Sequence, residues 1–503
     1  MIWIDAICIN QASLEERNAQ VLLMPDIYRG ARSVKVWLGE EANSSNDGMD
    51  LIQAIADQRA TLRENNKLMT AQDLIEVNLP VYNDPSWKAL DAIYWRPWFT
   101  RAWIVQEITL AKDAVVICGQ KSVSWDNLIC AAICLDTHRL SQLVRVDAWR
   151  PIQLGSFAYH LEFGMDLPSL LHRTRPQHAT RPHDKVYSVL GLARDAADYE
   201  LEVDYGSSVV KLYSDLAIKA LKRSQDLGIL HAACDPAWTL VDGLPSWVPD
   251  WSALPRASAL VSPEAGFSLF ATKDTKAQLR FSDDTLYAKG VFVDHVVRIC
   301  SPIVTFWQDR FQPGFSTRGM ETFQDNMMAS RWRQWEHAAL SLKRYPTGES
   351  VEECLHRTLI ADSALPNGAH SSAETLAMYH NAYRKYFMNV VQFGFTPLQH
   401  EVGGDASTRE MAAVYDKAFK LACWARRFFL TKHGYMGLGP FSTRPGDRIA
   451  VLLGGRTPYV LRKVVDKKHK EIHFQLIGES YVHGLMHGEA LDIHDEFAEI
   501  AIR

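Results

Sequence analysis

At 503 residues the chain is long for one hydrophobic core, and its length predicts two to four domains. Apolar residues make up 47% and charged residues 22% of the chain, which are ordinary globular values that exclude a mainly disordered protein. The formal net charge of −5, with no long basic run, argues against nucleic acid as a partner.

The spacing of the cysteines and the length of the apolar segments argue against a cysteine-ligated zinc domain and against a membrane-spanning protein. The 8 cysteines show no zinc-ligand spacing, so we expect reduced, buried thiols. His483, His487 and His494 lie near one another without a fixed ligand pattern, so no metal site is predicted. No segment reaches the roughly 18 uninterrupted apolar residues of a membrane span. The N-terminus carries Asp5 and no basic flank, unlike a secretory signal. A cytoplasmic protein is predicted.

Strands and helices alternate in the first 120 residues. The β-branched run at 2–9 predicts a buried strand, and 33–38 and 114–119 predict two more. A helix of about 101–111 precedes the third of them. Because strands separated by helices form right-handed parallel crossovers, the pattern predicts an α/β fold with a mostly parallel sheet.

The helix after the first strand has a clear start signal. Ser13 and Glu16 have the spacing of a capping box, and apolar residues then recur at helical intervals up to Ala31. Pro25 lies inside this pattern and lacks a backbone N–H, so a kink or an early end of the helix is expected.

The sequence patterns in the remainder of the chain predict a helical region followed by a β domain that is split by a helical insert. Residues 121–265 are mainly helical, with the clearest helix at 207–224, and residues 301–433 form a helical insert. Residues 266–300 and 434–503 carry alternating apolar patterns typical of strands. Since neither segment alone has enough strands to cover its edges, we expect 285–299 and 448–462 to pair in one small β-barrel-like domain.

Several motifs, in this order, closely resemble those of the fungal heterokaryon-incompatibility (HET) family. The match begins with the first strand and ends near the C-terminus, and so covers nearly the whole chain. The motifs are Trp3-Ile-Asp-Ala-Ile-Cys-Ile-Asn-Gln11, Trp95-x-Pro-Trp-Phe-x-Arg101-x-Trp103-Ile-x-Gln-Glu107, Ala179-Thr-Arg-Pro-His-Asp184-Lys-Val-Tyr187, Pro245-Ser-Trp-Val-Pro-Asp-Trp251 and Gly478-Glu-Ser-Tyr-Val-His-Gly484.

The resemblance also indicates a difference at the start of the chain. Family members normally begin with an earlier strand and a Tyr/Trp-Gly motif, whereas here Met1 stands two residues before Trp3. We therefore expect residues 1–120 to form an N-terminally truncated HET domain with an incomplete sheet.

The HET domain is similar in layout to TIR domains, and this similarity implies a candidate catalytic residue. Glu107 matches the position of the glutamate that TIR enzymes use to cleave NAD. Breaking the nicotinamide–ribose bond develops oxocarbenium charge, which a carboxylate stabilises. The alternative is a structural carboxylate on the helix, paired with Arg101. NAD would be a substrate, and no bound cofactor is expected.

Four residues near Glu107 are candidate ligand-binding residues: Asp5, Asn10, Arg101 and Trp103. The indole of Trp103 offers a face for stacking, and Asp5 either orders the pocket or caps a turn. Asn10 follows the first strand, where its side chain is expected to shape the turn by bonding the backbone.

The family resemblance implies a function in non-self recognition and programmed cell death. One hypothesis is a signalling module that self-associates or binds a protein partner, and it is favoured for a truncated domain. The other is a TIR-like NAD glycohydrolase that uses Glu107. Whether the chain is an enzyme is left open by the sequence.

Overall fold

The computed structural model describes residues 2–503 except 66–68, 139, 163, 234, 261–269, 305–317, 364, 366–371, 394–405 and 466–470. The chain divides into two compact units, Met1–Leu212 and Tyr213–Arg503. Among the described residues, no helix is both long enough and apolar enough to cross a membrane.

The first unit is mainly helical. Its helices are α1 Asp5–Cys8, α2 Leu14–Gly30, α3 Ser45–Asp57, α4 Arg59–Asn65, α5 Ala71–Glu76, α6 Pro85–Tyr94, α7 Ile104–Thr109, α8 Trp125–Thr137, α9 Leu140–Val144, α10 Trp149–Glu162, α11 Leu167–Thr174 and α12 Asp184–Leu190. Short 3-10 turns span Pro97–Thr100 and Ala196–Tyr199, and the boundary between the units falls inside α13, Val209–Ser224.

A three-stranded sheet lies in this unit, in the order β1 (Val34–Trp37), β2 (Ala114–Cys118) and β3 (Lys121–Ser124). The parallel pairing predicted for 33–38 and 114–119 is confirmed, with Val36 opposite Val116. β3 runs antiparallel to β2 and was not predicted. The two strands are joined by a tight turn at Gly119, which has a φ of +55°.

The strand predicted at 2–9 is wrong. Residues 5–8 form the single-turn helix α1, in which the N–H of Cys8 donates to the carbonyl of Ile4 at 2.8 Å. Ile2 and Ile7 are 76% and 78% exposed, and Ile9 is buried. A buried strand needs neighbouring strands to take up its backbone groups, and here these groups bond within the segment instead.

Helix α2 begins as predicted but does not end early. Ser13 accepts the N–H of Glu16 at 3.2 Å, while the Glu16 carboxylate accepts the N–H of Asn10 at 3.0 Å and so reaches past the cap residue. The helix continues through the buried Pro25 to Gly30.

The second unit contains a nine-stranded sheet and a group of helices. The strands are β4 Leu279–Ser282, β5 Thr285–Ile299, β6 Arg426–Thr431, β7 Met436–Pro440, β8 Arg448–Leu452, β9 Tyr459–Val465, β10 Ile472–Glu479, β11 Tyr481–Val482 and β12 Ala498–Ile502. The helices are α14 Arg318–Leu340, α15 Val351–Leu359, α16 Ala373–Phe393, α17 Ala406–Cys423 and α18 Glu489–Ile493, with a 3-10 turn at Gly228–Ala232.

Five strands of this sheet form a closed ring of pairings. The order is β5, β12, β10, β9 and β8, and β8 pairs again with β5. The predicted pairing of 285–299 with 448–462 is confirmed by the antiparallel ladder between β5 and β8. β4 and β5 form a hairpin that turns at Asp283 and Asp284, where Ser282 pairs with Thr285.

Candidate functional site

Glu107 lies on α7, and a loop contact fixes the start of that helix. The chain enters α7 through the 3-10 turn Pro97–Thr100, and the N–H of Ala102 donates to the carbonyl of His178 at 2.8 Å. Arg101 and His178 form an isolated parallel bridge. The residues preceding Glu107 are therefore held by a segment far along the chain.

The Glu107 carboxyl is partly buried and lies among charged groups. Burial, the largest cause, raises the pKa of Glu107 to about 7, while the Arg101 guanidinium lowers it and the Asp5 carboxylate raises it further. The structure thus brings together three of the predicted site residues: Asp5, Arg101 and Glu107. A carboxyl that titrates near neutral pH can donate or accept a proton, as many catalytic groups do.

Tyr28 also lies near these charged groups, and sequence reasoning missed it. Burial and the carboxylates of Glu107 and Asp5 raise the pKa of Tyr28 above its ordinary range. Tyr28 also packs edge-on against Trp3, with ring centroids 5.7 Å apart. Tyr28 belongs to the apolar face of α2, a pattern that predicts packing and gives no sign of contact with a carboxyl.

Three of the predicted ligand-binding residues also make local contacts. The Trp103 indole lies close enough to the Asp184 carboxyl to lower the pKa of that carboxyl, which burial raises. The Asn10 side chain accepts the N–H of Ala12 at 3.1 Å and shapes the turn before α2, as one alternative predicted. The Asp5 carboxylate, at the first position of α1, accepts the N–H of Ala6 at 2.8 Å.

Comparison with known proteins identifies the family. Residues 1–107 match the family model described as heterokaryon incompatibility protein (HET), and residues 343–497 match the Het-6 beta-barrel domain. The chain is 27% identical to heterokaryon incompatibility protein 6, OR allele, of Neurospora crassa over 582 positions, covering 98% of this chain and 81% of that protein. The chain belongs to the heterokaryon incompatibility family. No solved structure matches it significantly.

The HET segment makes close contacts with residues beyond the matched range. Tyr205 donates a hydrogen bond of 2.5 Å from its hydroxyl to Asp184, whose pKa is raised mainly by burial. The guanidinium of Arg17 lies 4.3 Å above the Tyr205 ring, and Asn18 accepts the Tyr205 N–H at 3.1 Å. Through Tyr205, these contacts join α2 to the segment that carries Asp184.

The Het-6 barrel segment contains a buried ionic network centred on Glu479. Its carboxylate accepts from Arg426 at 2.8 Å and from the backbone N–H of Leu260 at 2.7 Å, and it lies 2.6 Å from the His231 ring. Burial raises the pKa of Glu479, but the neighbouring His231 and Arg426 outweigh it and hold that pKa below its ordinary value. The glutamate of the Gly478–Gly484 motif thus has a structural role.

Proposed function

We propose that this protein acts in fungal non-self recognition and in programmed cell death, and that it works through protein contacts, either with a second copy or with a partner. The relationship to heterokaryon incompatibility protein 6 over 98% of the chain carries this proposal. It is supported by the presence of both the HET and the Het-6 barrel segments in one chain.

Exposed aliphatic side chains in the first 23 residues support a mechanism based on contacts. Ile2, Ile7, Leu22 and Leu23 are at least half exposed. Contiguous apolar patches that soluble proteins expose commonly mark interaction surfaces, and here four exposed aliphatic side chains fall within 23 residues of the sequence. β1 is also an edge strand, and its Trp37 is 49% exposed.

Substitution of two of these exposed side chains tests the proposal. We expect Ile7→Ser combined with Leu22→Ser to reduce cell killing on overexpression in a fungal host, with little change in the thermal unfolding midpoint, because both side chains are exposed. Light scattering of the purified protein at increasing concentration separates self-association from binding of a different partner.

A matched control is available in the second unit. Ile493 on α18 is 59% exposed, so Ile493→Ser removes a comparable side chain from another surface. We expect this variant to kill like the unsubstituted protein. If the Ile7/Leu22 double variant also kills at full strength, the contact mechanism at this surface is wrong.

A second candidate function is TIR-like cleavage of NAD by Glu107. The observation that favours it is the grouping of Glu107 with Asp5 and Arg101, together with a pKa of about 7 for Glu107. An ionised Glu107 would stabilise the oxocarbenium that forms when the nicotinamide–ribose bond breaks. Activity of this kind would rise as the pH passes through about 7, as the carboxyl ionises.

Glu107→Gln distinguishes the two candidates. The substitution keeps the size of the side chain and removes its charge, so NAD cleavage, measured as nicotinamide release, should fall to background together with cell killing. The control is Glu15→Gln, which changes an exposed carboxylate on α2. Full killing by Glu107→Gln would contradict the NAD mechanism and leave the contact mechanism.

A further inference from the structure

Two segments of the second unit meet at the start of α15 and place three metal-ligating side chains together. The Tyr345 hydroxyl donates to the carbonyl of His483 at 2.8 Å. Gly484 then permits a close approach: it has a φ of +85°, and a Cβ there would lie 2.6 Å from the Thr347 methyl group. These contacts bring Glu349 and Cys354 beside His483.

We propose that Glu349, Cys354 and His483 form a binding site for a divalent transition-metal ion, with zinc the best match. One donor atom from each residue lies within 4.8 Å of the other two. A tetrahedral zinc ion with oxygen, sulfur and nitrogen ligands places these atoms about 3.3–3.6 Å apart, so small side-chain rotations suffice. A thiolate with an imidazole favours zinc over magnesium or calcium.

Neighbouring groups already orient two of the ligands. The His483 Nε2 lies 2.9 Å from the Glu349 Oε2, while its Nδ1 lies 3.0 Å from the Tyr481 hydroxyl. With Nε2 on the metal, Tyr481 would fix the ring from the other side, as second-shell partners of zinc-bound histidines do. Thr347 donates to the Glu349 Oε2 at 2.6 Å and fixes that carboxylate.

The local charge also suits a divalent cation. Arg357 lies 4.0 Å from Glu349, but it is paired at 2.9 Å with both Glu353 and Asp362. The three carboxylates together carry more charge than this guanidinium, so the group is negative even while the Cys354 thiol is protonated. Since the Glu349 side chain is 35% exposed, water can reach the site and occupy a fourth position.

Cys354 fits a metal ligand better than a nucleophile. Reactive cysteines are accessible to solvent, because a nucleophilic thiolate must reach its substrate. Cys354 is fully buried. A metal ion would displace the thiol proton, so zinc binding should release a proton.

Metal titration of the whole purified chain tests the site. We expect metal-free protein to bind one zinc ion per chain, and its cobalt(II) form to show a thiolate-to-cobalt charge-transfer band. Cys354→Ser should abolish that band and weaken zinc binding by more than about 100-fold, and Tyr481→Phe should weaken it by about 10- to 100-fold. Cys300→Ser, in the same buried core, should bind zinc normally.

Two results would overturn the proposal. One is a cobalt spectrum of the unsubstituted protein without the thiolate band, which is independent of any variant. The other is unchanged zinc affinity in Cys354→Ser. If Cys354→Ser does not fold, Tyr481→Phe decides instead, and zinc affinity equal to that of the unsubstituted protein would then count against the site.

Discussion

Among single residues, Glu107 shows how burial alone changes the chemistry of a carboxyl. The side chain lies on a short helix, and the Arg101 guanidinium offsets only part of the cost of removing the charge from water. Sequence comparison gives the position of such a residue but not its protonation, because protonation depends on how far the folded protein excludes water.

The raised pKa of Glu107 predicts a pH-dependent contribution to stability. The folded carboxyl titrates near 7 and the ordinary one near 4.5, so the folded state binds the proton more tightly. The free energy of unfolding should therefore fall as pH rises from about 4.5 to 7 and then level off. At pH 8, urea denaturation should find Glu107→Gln more stable than the unsubstituted protein by about 1–3 kcal/mol.

Below pH 4.5 the unsubstituted protein and Glu107→Gln should have similar stability, because the Glu107 carboxyl is then protonated in both the folded and the unfolded state. Glu15→Gln provides the baseline for replacing an exposed carboxylate. A stability difference between Glu107→Gln and the unsubstituted protein that does not change with pH would contradict this account.

Among helices and strands, the local sequence pattern predicted correctly those elements that local hydrogen bonds stabilise. The helix predicted at 207–224 is α13, which spans Val209–Ser224. The strand predicted at 2–9 is wrong, because an apolar β-branched run becomes a strand only where a neighbouring strand takes up its backbone groups. The helical insert predicted at 301–433 includes the strand β6, whose conformation is decided by its pairing with β5 and β7.

Gly290 of β5 offers a test of the ring of strands. It stands opposite both Leu452 of β8 and Ala498 of β12, and a Cβ there would lie 2.6 Å from the Val451 carbonyl oxygen. Gly290→Ala should therefore lower the free energy of unfolding by about 1–3 kcal/mol, measured by denaturant titration.

Gly30→Ala is the matched control, since nothing lies within 4 Å of a Cβ at the end of α2. We expect it to change the free energy of unfolding by less than about 1 kcal/mol. If Gly290→Ala is as stable as Gly30→Ala, β5 and β8 do not approach as closely as the structure indicates.

In the whole molecule, the second unit joins strands that are distant in sequence. β5 precedes the helices α14–α17, whereas β8, β9, β10 and β12 follow them. The ring is completed only when the C-terminal β12 lies between β5 and β10. Its strands should therefore unfold as one cooperative unit.

Hydrogen exchange can measure this cooperativity. Amides of β5 and β8 should lose protection at the same denaturant concentration, because each strand takes up backbone groups of the other. The hairpin β2–β3 in the first unit serves as an internal reference with its own denaturant dependence. If β8 exchanges at a lower denaturant concentration than β5, the ring is not cooperative.

The sequence by itself determined the family, the parallel pairing of β1 with β2, the main helices and the long-range pairing of β5 with β8. These features follow from hydrophobic periodicity, strand edges that must be covered, and motifs read in order. The tertiary structure decided the helical form of residues 5–8, the burial of Glu107 and the meeting of Glu349 with His483, which are 134 positions apart. The spacing of such residues along the chain carries no signal, because packing alone sets which distant side chains share a low-dielectric site.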